Sequence, residues 1–593
     1  MKIIWSRIFY TQLLLSLLLF SINSIAQPFQ EVSQQVGINV IYGWDGLTSG
    51  GVSFVDFNMD GWDDLTFTTS AGDSIHFYQN NKNGTFTKLS SLVPETGWAR
   101  GILWADFDND GDRDFFIANE GSPNHLYENK GNLQLVNITA TAGLPDFLTD
   151  DSYGASFCDY NNDGNIDLYV MNRTGQYSNQ MFKNNGDKTF TNSSFTTNTH
   201  DSLRLSFTAS FFDMNMDGYQ DFFVAQDKLY MRNSLYKNNG NETFSDITDI
   251  SGTASFIDGM SAAVGDYDLD GDQDIYVTNT PANTGNILYR NNGDETFTDV
   301  AEQMSVNMLT TSWGANFFDY DNDLDEDLFV CISDSFTKHN RLFRNNEGTS
   351  FTDMFTDNNS LPTDTIPCFS TAYGDFNNDG QIDIVAQSFA PFKSRLWQNT
   401  LNNSNKWLKI RLEGTQSNRD GIGTLLELYI NGQKYIRYVH CGDGFLAQNS
   451  FVKHFGMSNH STADSLIVKW LSGQVDRFYS VTANQTLQVQ EGMTVSNQST
   501  INIEKSFKIK NIYPNPTQNK PITIVLHSKK NQSIDVIFIN KLGQIIYQEK
   551  RTIMTGNQSI IVPTAQIKET GVIRCIITNE NERTEGIFLN LNN

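Results

Sequence analysis

A nine-residue acidic loop that returns seven times at near-constant spacing constrains this chain more than any other feature. The first copies are Asp56-Phe-Asn58-Met-Asp60-Gly61-Trp-Asp-Asp64, Asp106-Phe-Asp108-Asn-Asp110-Gly111-Asp-Arg-Asp114 and Asp159-Tyr-Asn161-Asn-Asp163-Gly164-Asn-Ile-Asp167. Asp213-Met-Asn215-Met-Asp217-Gly218-Tyr-Gln-Asp221 and Asp266-Tyr-Asp268-Leu-Asp270-Gly271-Asp-Gln-Asp274 follow. The last are Asp319-Tyr-Asp321-Asn-Asp323-Leu324-Asp-Glu-Asp327 and Asp375-Phe-Asn377-Asn-Asp379-Gly380-Gln-Ile-Asp383. Successive copies start 50, 53, 54, 53, 53 and 56 residues apart. A fixed period of this length means one supersecondary unit, repeated so that each copy buries its face against the next.

The residue types suit a hard cation. Calcium takes six to eight oxygens. Side-chain oxygens at loop positions 1, 3, 5 and 9 can converge if the chain turns tightly, and glycine at position 6 permits a positive φ. The expected ligands are therefore those of positions 1, 3, 5 and 9 in all seven loops, for up to seven Ca²⁺. Leu324 stands where the other loops have glycine, so replacing it with glycine is expected to relieve strain. An EF-hand is excluded because it needs Glu at position 12 between helices. Position 12 here is Phe67, Ile117, Val170, Val224, Val277, Val330 or Ala386.

The flanks read as strands. Ser156-Phe157-Cys158 precedes a loop and Leu168-Tyr169-Val170 follows one. Tyr289-Arg-Asn-Asn-Gly-Asp-Glu-Thr-Phe297 adds a strand, a turn and a further strand. Four strands per unit describe a propeller blade. Gly51, Gly101, Gly154, Thr208, Ser261, Gly314 and Ser370 lie five residues before the loops, as small residues beside a crowded axis should. The seventh unit lacks its outer strand, and Pro28-Phe29-Gln30-Glu31-Val32 matches the missing pattern, so residues 28 to 33 are expected to close the ring. These features resemble the FG-GAP or VCBS repeat family, whose blades also occur in integrin α-subunit heads. The resemblance covers roughly residues 28 to 400.

Beyond Trp397 the acidic loops stop. Trp407-Leu-Lys-Ile-Arg-Leu412, Ser417-Asn-Arg-Asp-Gly-Ile-Gly423, Lys453-His-Phe-Gly456 and Trp470-Leu-Ser-Gly-Gln474 resemble the ASPIC/UnbV domain, which follows such repeats in the cartilage acidic protein group. Arg419, Asp420 and His454 are either a polar site or braces within that domain. Ile512-Tyr-Pro-Asn-Pro-Thr517, followed by strand-like segments, is similar to the C-terminal sorting domain of bacterial type IX secretion. The expected architecture is all-β: a seven-bladed β-propeller over 27–400, then two small β-sandwich-like domains at 401–493 and 508–593, joined by a linker at 494–507.

Lys2 and Arg7, the apolar stretch Ile8 to Phe20 and Ser24-Ile25-Ala26 read as a signal peptide cut after residue 26. With the sorting domain, this implies a chain secreted from, or held on the outer surface of, a Gram-negative bacterium, with the type IX machinery as a partner. The mature chain has no membrane-spanning run. A net charge of −27, from 41 basic and 68 acidic residues, argues against nucleic acid. The five cysteines show no disulfide framework or metal pattern. Hydrolase signatures and phosphate loops are absent, which points away from an enzyme. The favoured function is a glycan- or protein-binding adhesion module. The alternatives are a polysaccharide-cleaving enzyme built on the same scaffold, or a purely structural surface component.

Overall fold

The computed structural model describes residues 28–493 and 507–590, apart from 44–48, 146–150, 174–177, 202–203, 281–283, 334–339, 355–365, 514–520, 541–544, 564–566, 568–570 and 580–582. The expected signal peptide, nearly all of the linker and the Pro-Asn-Pro-Thr part of the sorting motif lie outside the described residues. The chain is all-β and divides into two compact units, Met1–Gln498 and Ser499–Asn593.

Among the described residues, the first unit contains seven sheets built on one plan. The fifth is typical: Gly259–Gly265, Asp274–Asn279, Ile287–Asn291 and Phe297–Asp299 pair in sequence order, each antiparallel to the last. The acidic loop joins the first two strands. First strands such as Ser152–Cys158 are buried along their whole length, as strands covered on both faces should be. The first strand of each sheet packs on that of the next, and the seventh packs on the first, which makes a closed, propeller-like ring. The small residues sit at those contacts. A Cβ on Gly101 would lie 2.8 Å from Tyr153 O, and one on Gly154 would lie 2.4 Å from Phe207 O.

The seventh sheet is completed from the other end of the chain. Phe29–Glu31 pairs antiparallel with Arg395–Asn399, with Phe29 opposite Asn399 and Glu31 opposite Trp397. Phe29 and Trp397 belong to one apolar cluster. Without this strand, the third strand of the sheet would be an unpaired edge. Deleting residues 27 to 34 should therefore cut the stability of the entire ring. Thermal melts of the deletion protein would check this, and an unchanged transition would refute a role for the strand in closure.

A repeated asparagine bolts neighbouring sheets together. Asn291 ends a third strand and donates through Nδ2 to Met214 O of the previous loop at 2.8 Å. Asn80, Asn184, Asn238, Asn345 and Asn399 make the matching bond to the loop of the sheet before, at 2.7 to 2.8 Å. Buried backbone carbonyls at the seams are satisfied in this way.

Residues after Asn399 form two more sheets, one ordered Lys453–Ser458, Lys406–Glu413, Gln485–Gln490. The other is ordered Gln433–Tyr438, Leu425–Ile430, Thr462–Lys469, Val475–Thr482. Leu408, Ile410, Leu426, Leu428, Phe455 and Val468 fill the space between them. This part caps the end of the ring that carries the acidic loops, and it sends one segment down the axis. Ala447–Gln448 pairs in parallel with Val52–Ser53 of the first sheet. Gln448 accepts from Trp104 N at 2.8 Å and donates to Trp104 O at 2.7 Å. Ser156 and Thr208 donate to the carbonyls of Gly442 and Gly444, each at 3.1 Å. Phe445 lies against Phe207 and Trp313, with ring centroids 5.4 and 5.1 Å apart. Gly442 has φ +85°, and a Cβ there would come within 2.4 Å of Ala155 O. Glycine is required at that close approach.

The second unit has a three-stranded sheet, Phe507–Tyr513, Ile522–Ser528 and Gly556–Val562. Its partner orders Ile545–Ile553, Gln532–Ile539, Gly571–Thr578 and Arg583–Asn590. Ile524, Leu526, Val536, Phe538 and Ile577 form their common core.

Candidate metal loops and their cap

Each acidic loop is held open by its own backbone. In the first, Asp56 accepts from Asp60 N at 2.9 Å and Gly61 N at 2.8 Å. Asp64, at position 9, accepts from Phe57 N at 3.2 Å and from Asn80 N at 2.7 Å. The position-9 arrangement recurs in every loop, as with Asp274, Tyr267 N and Asn291 N. Position 6 takes a positive φ throughout, from +84° at Gly380 to +101° at Gly111, with +98° at Leu324. Position 4 is also left-handed in all seven loops, from +56° at Asn378 to +62° at Asn322, which the motif alone did not suggest.

Three loops bring carboxylate triads within 4.8 Å: Asp106, Asp108 and Asp114; Asp266, Asp268 and Asp274; Asp319, Asp321 and Asp327. These are the loops with Asp at position 3. In the others Asn58, Asn161, Asn215 or Asn377 stands there; the amides of Asn161, Asn215 and Asn377 donate to position 5, as in Asn377 Nδ2 to Asp379 Oδ2 at 2.8 Å. In the triads, Asp266 Oδ1, Asp268 Oδ1 and Asp321 Oδ1 are buried without a hydrogen-bond partner. Buried, unpaired carboxylate oxygens are costly. A divalent cation would remove that cost, so the donor set fits a hard metal ion. At position 5, Asp110, Asp163, Asp217, Asp270 and Asp379 are exposed, while Asp60 and Asp323 are half-buried.

Burial pushes the carboxyls up, and neighbouring carboxylates add to it. Asp64 rises to about 9 and Asp114 to about 10. Asp266 rises to about 8, Asp106, Asp159 and Asp321 to about 7, and Asp213 and Asp268 to about 6. The same burial also raises Asp167, Asp221, Asp274, Asp319, Asp327 and Asp383 well above the usual carboxyl range.

The cap reaches into these loops. Arg411 Nη1 bonds Asp56 Oδ2 at 2.8 Å. Lys409 Nζ bonds Asp375 Oδ2 and Asn378 Oδ1, each at 2.7 Å. Arg419, Asp420 and His454 do not converge into one site. Asp420 takes the guanidinium of Arg113 at 2.8 and 2.9 Å and accepts from Asp106 N at 2.8 Å. Arg419 lies over the same loop, with its N–H on Asn109 Oδ1 at 2.9 Å. His454 Nε2 meets Gly380 O at 3.1 Å. Each fastens the cap to a loop of the ring.

Leu324 corrects an expectation. Its side chain is buried in the core of the cap, beside Leu408, Ile410 and Phe455. The strain of a leucine at positive φ, about 1–2 kcal/mol, is outweighed by burial of the side chain and by the cavity its loss would leave. Leu324→Gly should therefore destabilise, by about 1–3 kcal/mol, rather than stabilise. Denaturant titration of the variant would show this, and a stability gain would restore the strain argument.

Comparison with known proteins agrees on two modules. FG-GAP-like repeats match residues 56–117, 106–170, 159–224, 213–277 and 267–330, and the ASPIC and UnbV domain matches residues 414–496. Cartilage acidic protein 1 of Xenopus tropicalis is 28% identical over 257 residues, which are 41% of this chain and 38% of that protein. The chain thus spans well under half the length of this relative. Among solved structures, PorZ, an essential surface component of the type-IX secretion system of Porphyromonas gingivalis, aligns over 91% of this chain and 81% of its own. The identity is 13% and the TM-score 0.18. The six-bladed fucose-recognising lectin of Aleuria aurantia aligns over 51% of this chain and 94% of its own, at 12% identity and TM-score 0.31. At such scores the superpositions carry no functional argument. No helix among the described residues is long and apolar enough to cross a membrane. The chain is an all-β, propeller-like protein that carries FG-GAP-like repeats and an ASPIC and UnbV domain.

Proposed function

We propose that this chain is a secreted or surface-held, calcium-loaded seven-bladed propeller that binds an extracellular glycan or protein through the face its cap leaves open. One observation carries the reading. The acidic loops and the cap share one end of the ring, and large apolar side chains stand exposed in the connections at the other end. Tyr230 is 70% exposed, Phe195 75% and Phe256 56%. They come from the second-to-third-strand connection of the fourth sheet and from the connections leading into the fourth and fifth sheets. Aromatic side chains held out from one end of the ring supply anchors of the kind that recognition surfaces use. The calcium part rests on the unpaired buried oxygens of the triads, with positions 1, 3, 5 and 9 of each loop as ligands. The ion would neutralise carboxylates that burial otherwise penalises.

The export part rests on sequence: a signal peptide at 1–26, a linker at 494–507, and a sorting domain at 508–593 that hands the chain to the type IX machinery. A glycan array and a polysaccharide-cleavage screen, run side by side, test the function. The expected result is saturable binding without product, weakened at least tenfold by Tyr230→Ala with Phe256→Ala. Product release would favour the enzyme alternative. Binding that the double variant does not change would overturn the assignment of the open face.

A further inference from the structure

A cavity of about 470 Å³ lies at the seam between the cap and the first and seventh sheets. That is the size of a small-molecule site. One wall is a single face of the cap's three-stranded sheet. The register places Lys409 beside His454 and Thr486, and Arg411 beside Gln488, and all five line the cavity. The alternate residues Leu408, Ile410 and Phe455 turn the other way, into the cap's core. The opposite wall is the acidic loop of the first sheet, with Asp60 and Asp63, and that of the seventh, with Asp375 and Asn378.

The walls differ in hydrogen-bonding character. The cap wall offers donors. Arg411 uses one Nη1 bond on Asp56, and Lys409 uses two bonds on Asp375 and Asn378, which leaves further N–H groups on both. The Thr486 hydroxyl and the Gln488 amide line the same wall. The ring wall offers carboxylate acceptors. His454 adds a further acceptor. Its Nε2–H is taken by Gly380 O, which leaves Nδ1 as a lone pair, buried and without a partner. Cations and carboxylates face each other in near balance, so neither an anion nor a cation is selected by charge. Hydroxyl groups fit between such walls, since each can accept from the guanidinium or amide and donate to a carboxylate or to Nδ1.

We propose that this cavity binds a neutral, hydroxyl-rich small molecule of one or two sugar rings, at a site separate from the open face. Arg411, Gln488 and Thr486 donate to it, and Asp63 and His454 accept from it. The full chain, with calcium present, would be titrated by calorimetry with D-glucose, D-galactose, N-acetylglucosamine and myo-inositol. Glucuronate and inorganic phosphate serve as anionic controls. At least one neutral probe should bind saturably, and Thr486→Val with Gln488→Leu should weaken it at least tenfold. Tyr230→Ala with Phe256→Ala should leave it unchanged, which separates this site from the open face. A second measurement on the unaltered chain covers a variant that fails to fold: the bound probe should slow phenylglyoxal modification of Arg411. No saturable binding of any neutral probe, a preference for the anions, or binding that leaves Arg411 modification unchanged would each overturn the proposal.

Discussion

A chain ending at Asn399 should fail to form a stable ring, whereas one ending at Gln498 should keep the ring's melting transition as it is in the intact chain. The cap is part of the ring's interior. Removing it strips Phe445, Leu446 and Ala447 from the axis, where all three are buried. Full burial of a Phe or Leu side chain is worth about 1.5–3 kcal/mol. The loss also unpairs Val52–Ser53, leaves the carbonyl and N–H of Trp104 without Gln448, and removes Arg411 and Lys409 from the carboxylates they neutralise. Typical domains have only about 5–15 kcal/mol in total, so the sum should be decisive. Circular dichroism melts and limited proteolysis of the two truncations would compare them. A stable, protease-resistant 1–399 fragment would show that the cap merely decorates a self-sufficient ring. Phe445→Ala tests the same point with less disruption, and should cost about 3–5 kcal/mol.

Chelation should lower the melting temperature sharply, and the metal-free protein should lose stability as pH rises. The sign follows from the raised carboxyls. An unfolded Asp titrates near 4, while Asp64 in the ring titrates at about 9, Asp266 at about 8 and Asp106 at about 7. Between those values the folded state holds protons that the unfolded state has lost. Stability is then fully present below about pH 4 and falls as pH climbs through the folded values. In EDTA, the melting temperature should therefore drop steadily from pH 5 to pH 8. Calcium binds the ionised form, so adding it should raise stability most at the alkaline end and flatten the slope. Calorimetric melts at four pH values, with and without Ca²⁺, would show both effects. Identical curves in EDTA and calcium, with no metal by elemental analysis, would end the calcium assignment.

What was legible in the sequence was local or periodic. The loop recurs with its own turn glycine, the strands flank it at fixed offsets, and Phe29 carries the pattern that Phe297 shows inside a complete sheet. Such features can be read because each copy annotates the others. The asparagine ending each third strand was equally periodic, yet for all but Asn129 its function lies in a bond to the preceding sheet, which a one-unit reading does not reveal. The cap's contacts left no such trace. Arg411 reaches Asp56 across 355 residues and Gln448 reaches Trp104 across 344. Neither belongs to a repeat, so nothing in the chain points from one to the other. Leu324 misled for the same reason: its neighbours in the loop announce strain, while the apolar partners that justify it lie in strands more than 80 residues on.

The axial segment has a consequence for how the molecule is made. A ring whose first sheet pairs with Ala447–Gln448, and whose last sheet needs Phe29–Glu31, cannot finish assembling until residue 448 is available. At synthesis rates of about 5–20 residues per second, the earliest strands wait some 20–80 s for their final partners. Over that interval Val52 and its neighbours present a bare edge, and the aromatic side chains along the axis have nothing to close over. The nascent chain must therefore be sheltered or kept extended until late in its emergence. A substitution that weakens the segment Gly442–Gln448 should then reduce the yield of folded protein more than it shortens the lifetime of molecules that have already closed.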